Sequence, residues 1–275
     1  MADVESGGAA REATVLERVE SGVAVLTMSR PGRKNAFDHR MWGDLRDALE
    51  RTLADESVRA VVLTGAGGDF TAGADLALMD EPGGGDEVRD DRGEHPFATV
   101  MAILTDRFDK PLVAAVDGVA VGFGLTVLLH CDFVYVSDRA RLRAPFVRLG
   151  VVPEAGASYL LPTLIGFRKT AELLYTADWI TGQRAVELGI AHQCLARDSL
   201  LPTALATAAR VAEHPPQAVR ATKRLLLETR RDQVRAALAR EAAVFAERVG
   251  TPENVEAIRA FYEKRKPDFA KLARS

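Results

Sequence analysis

Cysteine is scarce in this chain of 275 residues, with only Cys131 and Cys194 present. Two cysteines can build neither a disulfide framework nor a zinc cluster, so we expect both to be small core residues in a reducing compartment. An excess of positive charge is also missing, because 36 Lys and Arg stand against 39 Asp and Glu and leave a net charge of −3. This balance argues against a nucleic-acid-binding protein.

Long uninterrupted apolar runs are missing as well. The longest apolar stretch, 112–136, is broken by Asp117, several glycines and Asp132, so no membrane span is predicted. The start, MADVESGGAAREA, lacks the patterns of signal and transit peptides, which makes the cytoplasm the expected location. Residues 1–12 are predicted to be disordered.

Nucleotide and metal motifs are also lacking. The segment GAGGDF fails the dinucleotide pattern because Phe70 stands where the third glycine is needed, and no P-loop motif occurs. His130 and His192 each lack a second ligand one helical turn away. We therefore expect no metal and no nucleotide as the reactive group.

Strand and helix patterns alternate through the first part of the chain. Residues around Ser21-Gly22 indicate a hairpin, and 38–54 indicates a helix capped by Asp38. A further helix is predicted near 96–108. Continuous apolar runs typical of buried parallel strands occupy 58–65, 111–118 and 133–138. The alternation predicts an α/β core with right-handed crossovers.

The character of the sequence changes after about residue 165, where Ala, Leu and Arg dominate and we expect helices without strands. The predicted division is therefore an α/β core over 13–205 and a helical C-terminal region over 206–275. A polar, glycine-rich insert at 80–95 is expected to be a lid or a disordered loop.

Two glycine-rich loops each leave a strand and enter a helix. Gly73 in one loop, and Gly122 with Gly124 in the other, allow close backbone approach to a ligand. Backbone N–H groups at a helix start have no internal partner, so two adjoining loops could aim two N–H groups at one oxygen. The alternative is that these glycines only make tight turns, and spacing alone leaves both interpretations open.

The run FTAGADL (70–76) resembles the first oxyanion loop of the crotonase, or enoyl-CoA hydratase/isomerase, superfamily, and 110–156 resembles the second. RPGRKNAF resembles the acyl-CoA entry loop, and the similarity extends from about residue 13 to the end. The resemblance implies a crotonase-like spiral of ββα units and a C-terminal helical trimerisation region. It also implies acyl-CoA thioester substrates and a homotrimer or a dimer of trimers.

The resemblance assigns roles to individual residues. The backbone N–H groups of Ala74 and Phe123 would bind the thioester oxygen, with the helix starting near Gly124 pointing its positive end at it. Coenzyme A would enter as part of the substrate, with no separate cofactor. The basic segment 261–271 is either a solvated helix end or a contact for coenzyme A phosphates. The residues expected to line the coenzyme A and substrate crevice are Lys34, Asn35, Ala36, Ala72, Gly73, Asp75, Leu76 and Gly122.

The catalytic carboxylates depart from the hydratase pattern. Hydratases of this superfamily carry two glutamates, whose positions here hold Thr126 and Phe146, so hydration is expected to be weak or absent. Glu154, in VVPEAGASY, resembles the single catalytic glutamate of the peroxisomal-type Δ3-Δ2-enoyl-CoA isomerases. A single base suits an isomerase, which moves a proton from C2 to C4, and an apolar site raises the pKa of such a base. The implied setting is fatty-acid β-oxidation.

Other interpretations of these residues stay open. Glu154 could be a loop carboxylate that caps a helix over 155–161. A hydratase-like activity using Glu154, or a non-catalytic acyl-CoA-binding protein, are the alternatives to an isomerase. Asp132 is expected to be a structural hydrogen-bonding group rather than an acid.

Overall fold

The computed structural model describes residues 13–79, 93 and 95–272. The predicted disordered segment at 1–12 and most of the predicted insert at 80–95 lie outside these residues.

Six strands form the main sheet in the order β1-β2-β3-β4-β6-β9. The predicted hairpin is confirmed, because β1 and β2 pair antiparallel with Glu20 opposite Val23. Each of the other pairs in this sheet is parallel. The strands are β1 (Val15–Glu20), β2 (Val23–Met28), β3 (Ala60–Gly65), β4 (Leu112–Val116), β6 (Phe133–Ser137) and β9 (Gln193–Leu195).

A second, three-stranded sheet follows the order β5-β7-β8. β5 (Val119–Val121) pairs parallel with β7 (Arg141–Arg143), and β7 pairs antiparallel with β8 (Ile180–Thr181). β5 begins only two residues after β4 ends. The chain therefore passes directly from the main sheet into the small sheet, and then into the second glycine-rich loop.

Eleven α-helices occupy the described ranges. They are α1 (His39–Ala54), α2 (Pro96–Ala102), α3 (Phe123–Thr126), α4 (Ala157–Ile165), α5 (Phe167–Thr176), α6 (Gly182–Leu188), α7 (Arg197–Ala212), α8 (Pro216–Glu228), α9 (Arg231–Arg248), α10 (Pro252–Tyr262) and α11 (Phe269–Leu272). Two of the long ones, α1 and α7, pack against the main sheet. As predicted, Asp38 caps α1 by accepting from the Met41 backbone N–H at 2.8 Å. The predicted helix at 96–108 is split, because α2 passes into a π-helical turn at Ile103–Arg107.

Both faces of the main sheet are buried. Alternate residues of β3, such as Val61 and Leu63, pack in the cluster that includes Met41 and Leu45 of α1. Their neighbour Val62 faces the opposite way, in a cluster with α7. Burial on two faces explains why these strands read as continuous apolar runs instead of alternating ones.

Two expectations for the second half of the chain need correction. Strands do occur after residue 165, since β8 has two residues and β9 has three, and β9 completes the main sheet. Elements this short carry no measurable period in a sequence, which is why they were missed. The boundary placed at 205 falls inside α7, a helix that packs on the sheet through Leu200, Ala204 and Ala208.

No helix within the described ranges is long and apolar enough to cross a membrane.

Candidate active site

The two glycine-rich loops lie side by side at the carboxyl ends of β3 and β5. The Thr71 N–H donates to the Val119 carbonyl at 3.0 Å, and the Val121 N–H donates to the Thr71 carbonyl at 3.0 Å. A Cβ added to Gly124 would lie 2.8 Å from the Thr71 carbonyl oxygen. The loops are therefore in direct backbone contact.

Gly73 allows the closest approach between the loops. Its φ of +84° lies in the left-handed region, and an added Cβ would sit 2.4 Å from the Val121 carbonyl oxygen and 3.4 Å from the Phe123 nitrogen. Only glycine fits this combination of dihedral angle and contact. The backbone at Gly73 and Ala74 therefore lies close to the backbone at Phe123.

Neither the Ala74 N–H nor the Phe123 N–H donates to a protein acceptor in the part of the chain that the structure describes. A backbone N–H without a partner is costly when buried, by about 1–3 kcal/mol, so such groups are suited to an external acceptor. The helix expected to start near Gly124 begins at Phe123: α3 has four residues and continues as a 3-10 turn to His130. So short a helix contributes only its first-turn N–H groups.

The expected entry loop contacts the first glycine-rich loop. The Lys34 carbonyl accepts from the Ala72 N–H at 2.9 Å, while Phe37 donates to the Gly73 carbonyl and accepts from the Asp75 N–H, both at 2.8 Å. The two segments thus form one surface, and their role as a coenzyme A crevice stays a prediction. Gly122, the remaining glycine predicted for this crevice, has a positive φ of +55° and opens α3.

Asn35 has a structural position within that surface. It is fully buried, and its Nδ2 donates to the carbonyls of Ala66 at 2.9 Å and Asp69 at 2.7 Å. Its own carbonyl accepts from the Thr71 hydroxyl at 2.6 Å. Its side-chain amide is therefore committed to holding the loops together.

The other residues predicted for the crevice differ in exposure. The Lys34 side chain is well exposed, Ala36 is buried and Leu76 is half-buried. The Asp75 carboxylate lies against Arg33 at 3.3 Å and Arg30 at 3.7 Å. Lys34 is thus the charged side chain of this group that faces solvent.

Glu154 lies in a loop with unusual backbone geometry. Ala155, with φ +59°, and Gly156, with φ +74°, are both left-handed and turn the chain into α4. The Glu154 Oε1 lies 3.4 Å from the Thr126 hydroxyl, a long contact for a hydrogen bond. Thr126 is fully buried on α3, so Glu154 faces the element that carries the second glycine-rich loop.

The cap of α4 comes from Glu241 of α9. Its two carboxylate oxygens accept from the backbone N–H groups of Gly156 and Ser158, each at 2.7 Å. The suggestion that Glu154 caps this helix is therefore wrong, because another carboxylate occupies that position. Glu241 was missed by the sequence analysis, although it interrupts an apolar stripe on α9 that includes Val234, Leu238 and Phe245.

His130 holds the other side of the Glu154 loop. Its Nε2 lies 2.8 Å from the Ala155 carbonyl, and burial lowers the pKa of this histidine to about 4, so the ring is neutral and donates to the carbonyl. Asp132 is a structural group, as expected: its carboxylate accepts from the Leu112 N–H and from Lys223, both at 2.7 Å.

A cavity of about 550 Å³ connects these features. Ala74, Glu154, Ala155 and Glu241 line it, together with apolar side chains that include Trp42, Phe97, Met101, Leu238 and Phe245. Phe146, at the second position where hydratases carry glutamate, is buried in a 3-10 turn and is not among the lining residues. Ala74 and Glu154, which the sequence singled out, thus share one largely apolar cavity.

The protonation of Glu154 is set by this environment. The pKa of its carboxyl is raised to about 8: burial is the largest cause, the nearby charge of Glu241 also raises the pKa, and the Thr126 hydroxyl opposes the rise. Burial also raises the pKa of Glu241, against the hydrogen bonds from Ser158 and Gly156. A carboxyl with a pKa near 8 can both accept and return a proton close to neutral pH.

The sequence matches the family model for enoyl-CoA hydratase/isomerase over residues 18–272. The chain belongs to this family. It is 34% identical to the 2,3-dehydroadipyl-CoA hydratase of Escherichia coli, over 90% of this chain and 94% of that protein. It is 32% identical to enoyl-CoA delta isomerase 2 of Rattus norvegicus, over 94% of this chain and 66% of that protein.

Solved structures support the same family. An enoyl-CoA hydratase/isomerase from Pseudoalteromonas atlantica superimposes with a TM-score of 0.87 at 36% identity, covering 93% of this chain and 99% of the other. The crotonase-type fold expected from the sequence is thereby confirmed, as is membership in an enzyme family that acts on acyl-CoA thioesters. Because hydratases and isomerases both occur among the relatives, the family alone leaves open which of the two reactions this member catalyses.

Proposed function

We propose that this family member moves a double bond from the Δ3 to the Δ2 position of an enoyl-CoA, with Glu154 as the only proton carrier. The observation that carries the proposal is the position of Glu154: its carboxyl lines the cavity beside Ala74 and faces the Thr126 hydroxyl. The two positions that carry glutamate in hydratases, Thr126 and Phe146, supply no carboxylate.

The thioester oxygen is held by the N–H groups of Ala74 and Phe123 in this proposal. Their lack of intramolecular acceptors within the described ranges and the close approach at Gly73 support it. One donor of this kind typically contributes about 3–4 kcal/mol to stabilisation of the developing oxyanion. That stabilisation lowers the barrier for a carboxylate to remove the proton from C2.

Glu154 then carries the proton. The carboxylate removes it from C2, and the bonding pair enters the conjugated system to give a dienolate with its negative charge on the thioester oxygen. The resulting carboxylic acid returns the proton to C4, so the C3–C4 double bond is replaced by a C2–C3 double bond. No water takes part, which fits a cavity lined mostly by apolar side chains.

A hydratase is the second candidate, and Glu241 is the observation that favours it. This second carboxylate lines the same cavity, and water addition is a task for two groups. Against it, both Glu241 oxygens already accept backbone N–H groups at 2.7 Å, which restricts how they could hold a water.

Coenzyme A enters as part of the substrate, along the surface formed by the loops at 34–36 and 72–76. The proposed steps use only groups of this chain. Trimeric assembly, contacts of the basic segment 261–271 with coenzyme A, and a cytoplasmic setting remain predictions. In that segment Arg265 is already paired with Glu256 and Glu263.

The test uses 3-enoyl-CoA and 2-enoyl-CoA as separate substrates. We expect conversion of the first to the 2-enoyl product, little water addition to the second, and loss of isomerisation by about 10²–10⁴-fold in Glu154→Gln with acyl-CoA binding retained. Glu247→Gln, an exposed carboxylate on α9, is the matched control. Robust hydration that survives Glu154→Gln would overturn the proposal.

A further inference from the structure

The cavity that contains Glu154 reaches an ion pair between α9 and the π-helical turn that follows α2. Arg235 donates through Nε to the Asp106 Oδ1 at 2.8 Å, and its Nη1 lies 3.7 Å from the Asp232 Oδ1. Asp106 and Arg235 both line the cavity. The pair is partly accessible, with the Arg235 side chain 54% exposed and that of Asp106 27% exposed.

The positions of the flanking helices place this pair far from the proposed oxyanion loops. The Phe97 ring, near the start of α2, lies 6.1 Å from the Phe123 ring. Asp106 also lines the cavity and comes nine residues after Phe97. At the rise of a helix, nine residues span roughly 13 Å along the axis. On α9, Arg235 precedes Glu241 by six residues, or about 9 Å. The ion pair therefore marks the distal end of the cavity, where the tail of an acyl group would lie.

The charges at that end are unfavourable for an anion. Arg235 is the only Lys or Arg among the described residues that line the cavity, and it already contacts two carboxylates. Two buried side-chain atoms lack a partner within the described part of the chain, Thr105 Oγ1 and Arg231 Nε. Of these two residues, Thr105 lines the cavity, and its hydroxyl is neutral. A like-charged group brought into such an environment is disfavoured.

We propose that the Asp106–Arg235 pair makes this site selective for acyl groups with a neutral, apolar tail and disfavours thioesters that carry a terminal carboxylate. The proposed selectivity arises at the distal end of the cavity. It rests on the proposed function only in one respect, that the thioester binds near Ala74. Asp106 pairs with Arg235, the only Lys or Arg among the described residues of the cavity lining, which could otherwise bind a terminal carboxylate through a bidentate hydrogen bond. Removing Asp106 should therefore release Arg235 for that purpose.

Binding of saturated thioesters tests the proposal without requiring turnover. Octanoyl-CoA and octanedioyl-CoA differ only in the terminal group, and their dissociation constants for the full-length protein can be compared by calorimetry. We expect the wild type to prefer octanoyl-CoA by about tenfold or more. Asp106→Asn should narrow that preference by strengthening octanedioyl-CoA binding, whereas Glu247→Gln should leave it unchanged.

A second variant should change the preference for octanoyl-CoA in the opposite direction. Arg235→Gln leaves Asp106 without its partner, so the preference for octanoyl-CoA should widen. Equal affinity of the wild type for the two thioesters would overturn the selectivity proposal and leave the isomerase proposal intact. Failure to bind either thioester would overturn both. A preference that Asp106→Asn and Arg235→Gln change in the same direction would also overturn the role given to the ion pair.

Discussion

Thr126 and Glu154 are in direct contact, with the Thr126 hydroxyl 3.4 Å from Glu154 Oε1. Thr126 stands at the first position where hydratases of the family carry glutamate. Its neighbour Glu154 is the only carboxylate in the segment 151–159. At this point α3 carries a hydroxyl, and the carboxylate beside it comes from the loop that precedes α4. This relationship links the departure from the hydratase pattern to the isomerisation proposed for Glu154.

The pH dependence of isomerisation should report the pKa of Glu154. Because the carboxylate form is the base and its pKa is about 8, kcat/KM for 3-enoyl-CoA should rise about tenfold per pH unit below pH 8 and level off above it. His130 does not contribute in this range, since its pKa is about 4. A profile that is flat between pH 6 and 9 would contradict the assignment.

Two variants should move the midpoint of that profile in opposite directions. Glu241→Gln removes a negative charge that raises the pKa of Glu154, so the midpoint should fall. Thr126→Val removes a hydroxyl that favours the carboxylate, so the midpoint should rise. The readout is the midpoint and not the rate, because a purely structural role of either residue would lower the rate without moving the midpoint.

The stability of the fold should depend on Glu154 between about pH 4.5 and 8. The folded state keeps the proton until its pKa of about 8, whereas an unfolded chain loses it near 4.5. Folding stability of the wild type should therefore fall relative to Glu154→Gln as pH rises through this window, by at most about 1.4 kcal/mol per unit. The value is an upper limit because Glu154 is half-buried. Denaturant unfolding of both proteins at pH 5 and pH 8 gives the comparison, and a difference that does not grow with pH would contradict the raised pKa.

The contact between the two glycine-rich loops can be tested with a pair of alanine variants. Gly73 and Gly122 both have positive φ, at +84° and +55°, so each substitution introduces backbone strain of about 1–3 kcal/mol. Only at Gly73 would the new Cβ also collide with a backbone atom, the Val121 carbonyl oxygen. We expect a larger loss of unfolding free energy, and of acyl-CoA binding, for Gly73→Ala than for Gly122→Ala. Equal losses of unfolding free energy and of binding in the two variants would show that the loops can move apart at Gly73 without destabilising the fold.

The sequence predicts the parts of this architecture that rest on local pattern. Two-sided burial of β3 produces a continuous apolar run, and the Asp38 cap and the Ser21-Gly22 hairpin are set by neighbouring residues. β9 was missed because three residues in a helical region carry no period, although its pairing with β6 completes the main sheet.

The candidate site was only partly predictable for a related reason. Glu154 and the Ala74 loop were found through resemblance to known motifs. Glu241 lies 85 residues from Gly156, whose N–H it accepts, and no local signal encodes a contact at that separation. The available sign was a carboxylate within the apolar stripe of α9, between Leu238 and Phe245, where a solvated glutamate is not expected.

The most direct test of the central claim follows the proton itself. A 3-enoyl-CoA carrying deuterium at C2 would be converted in ordinary water, and the position of the label in the 2-enoyl product would be read by mass spectrometry and NMR. Transfer by one carboxyl in an apolar cavity predicts product with part of the deuterium at C4, and product formation by Glu154→Gln that is slower by about 10²–10⁴-fold. Product formed by Glu154→Gln at the wild-type rate, with only solvent protium at C4, would contradict the account.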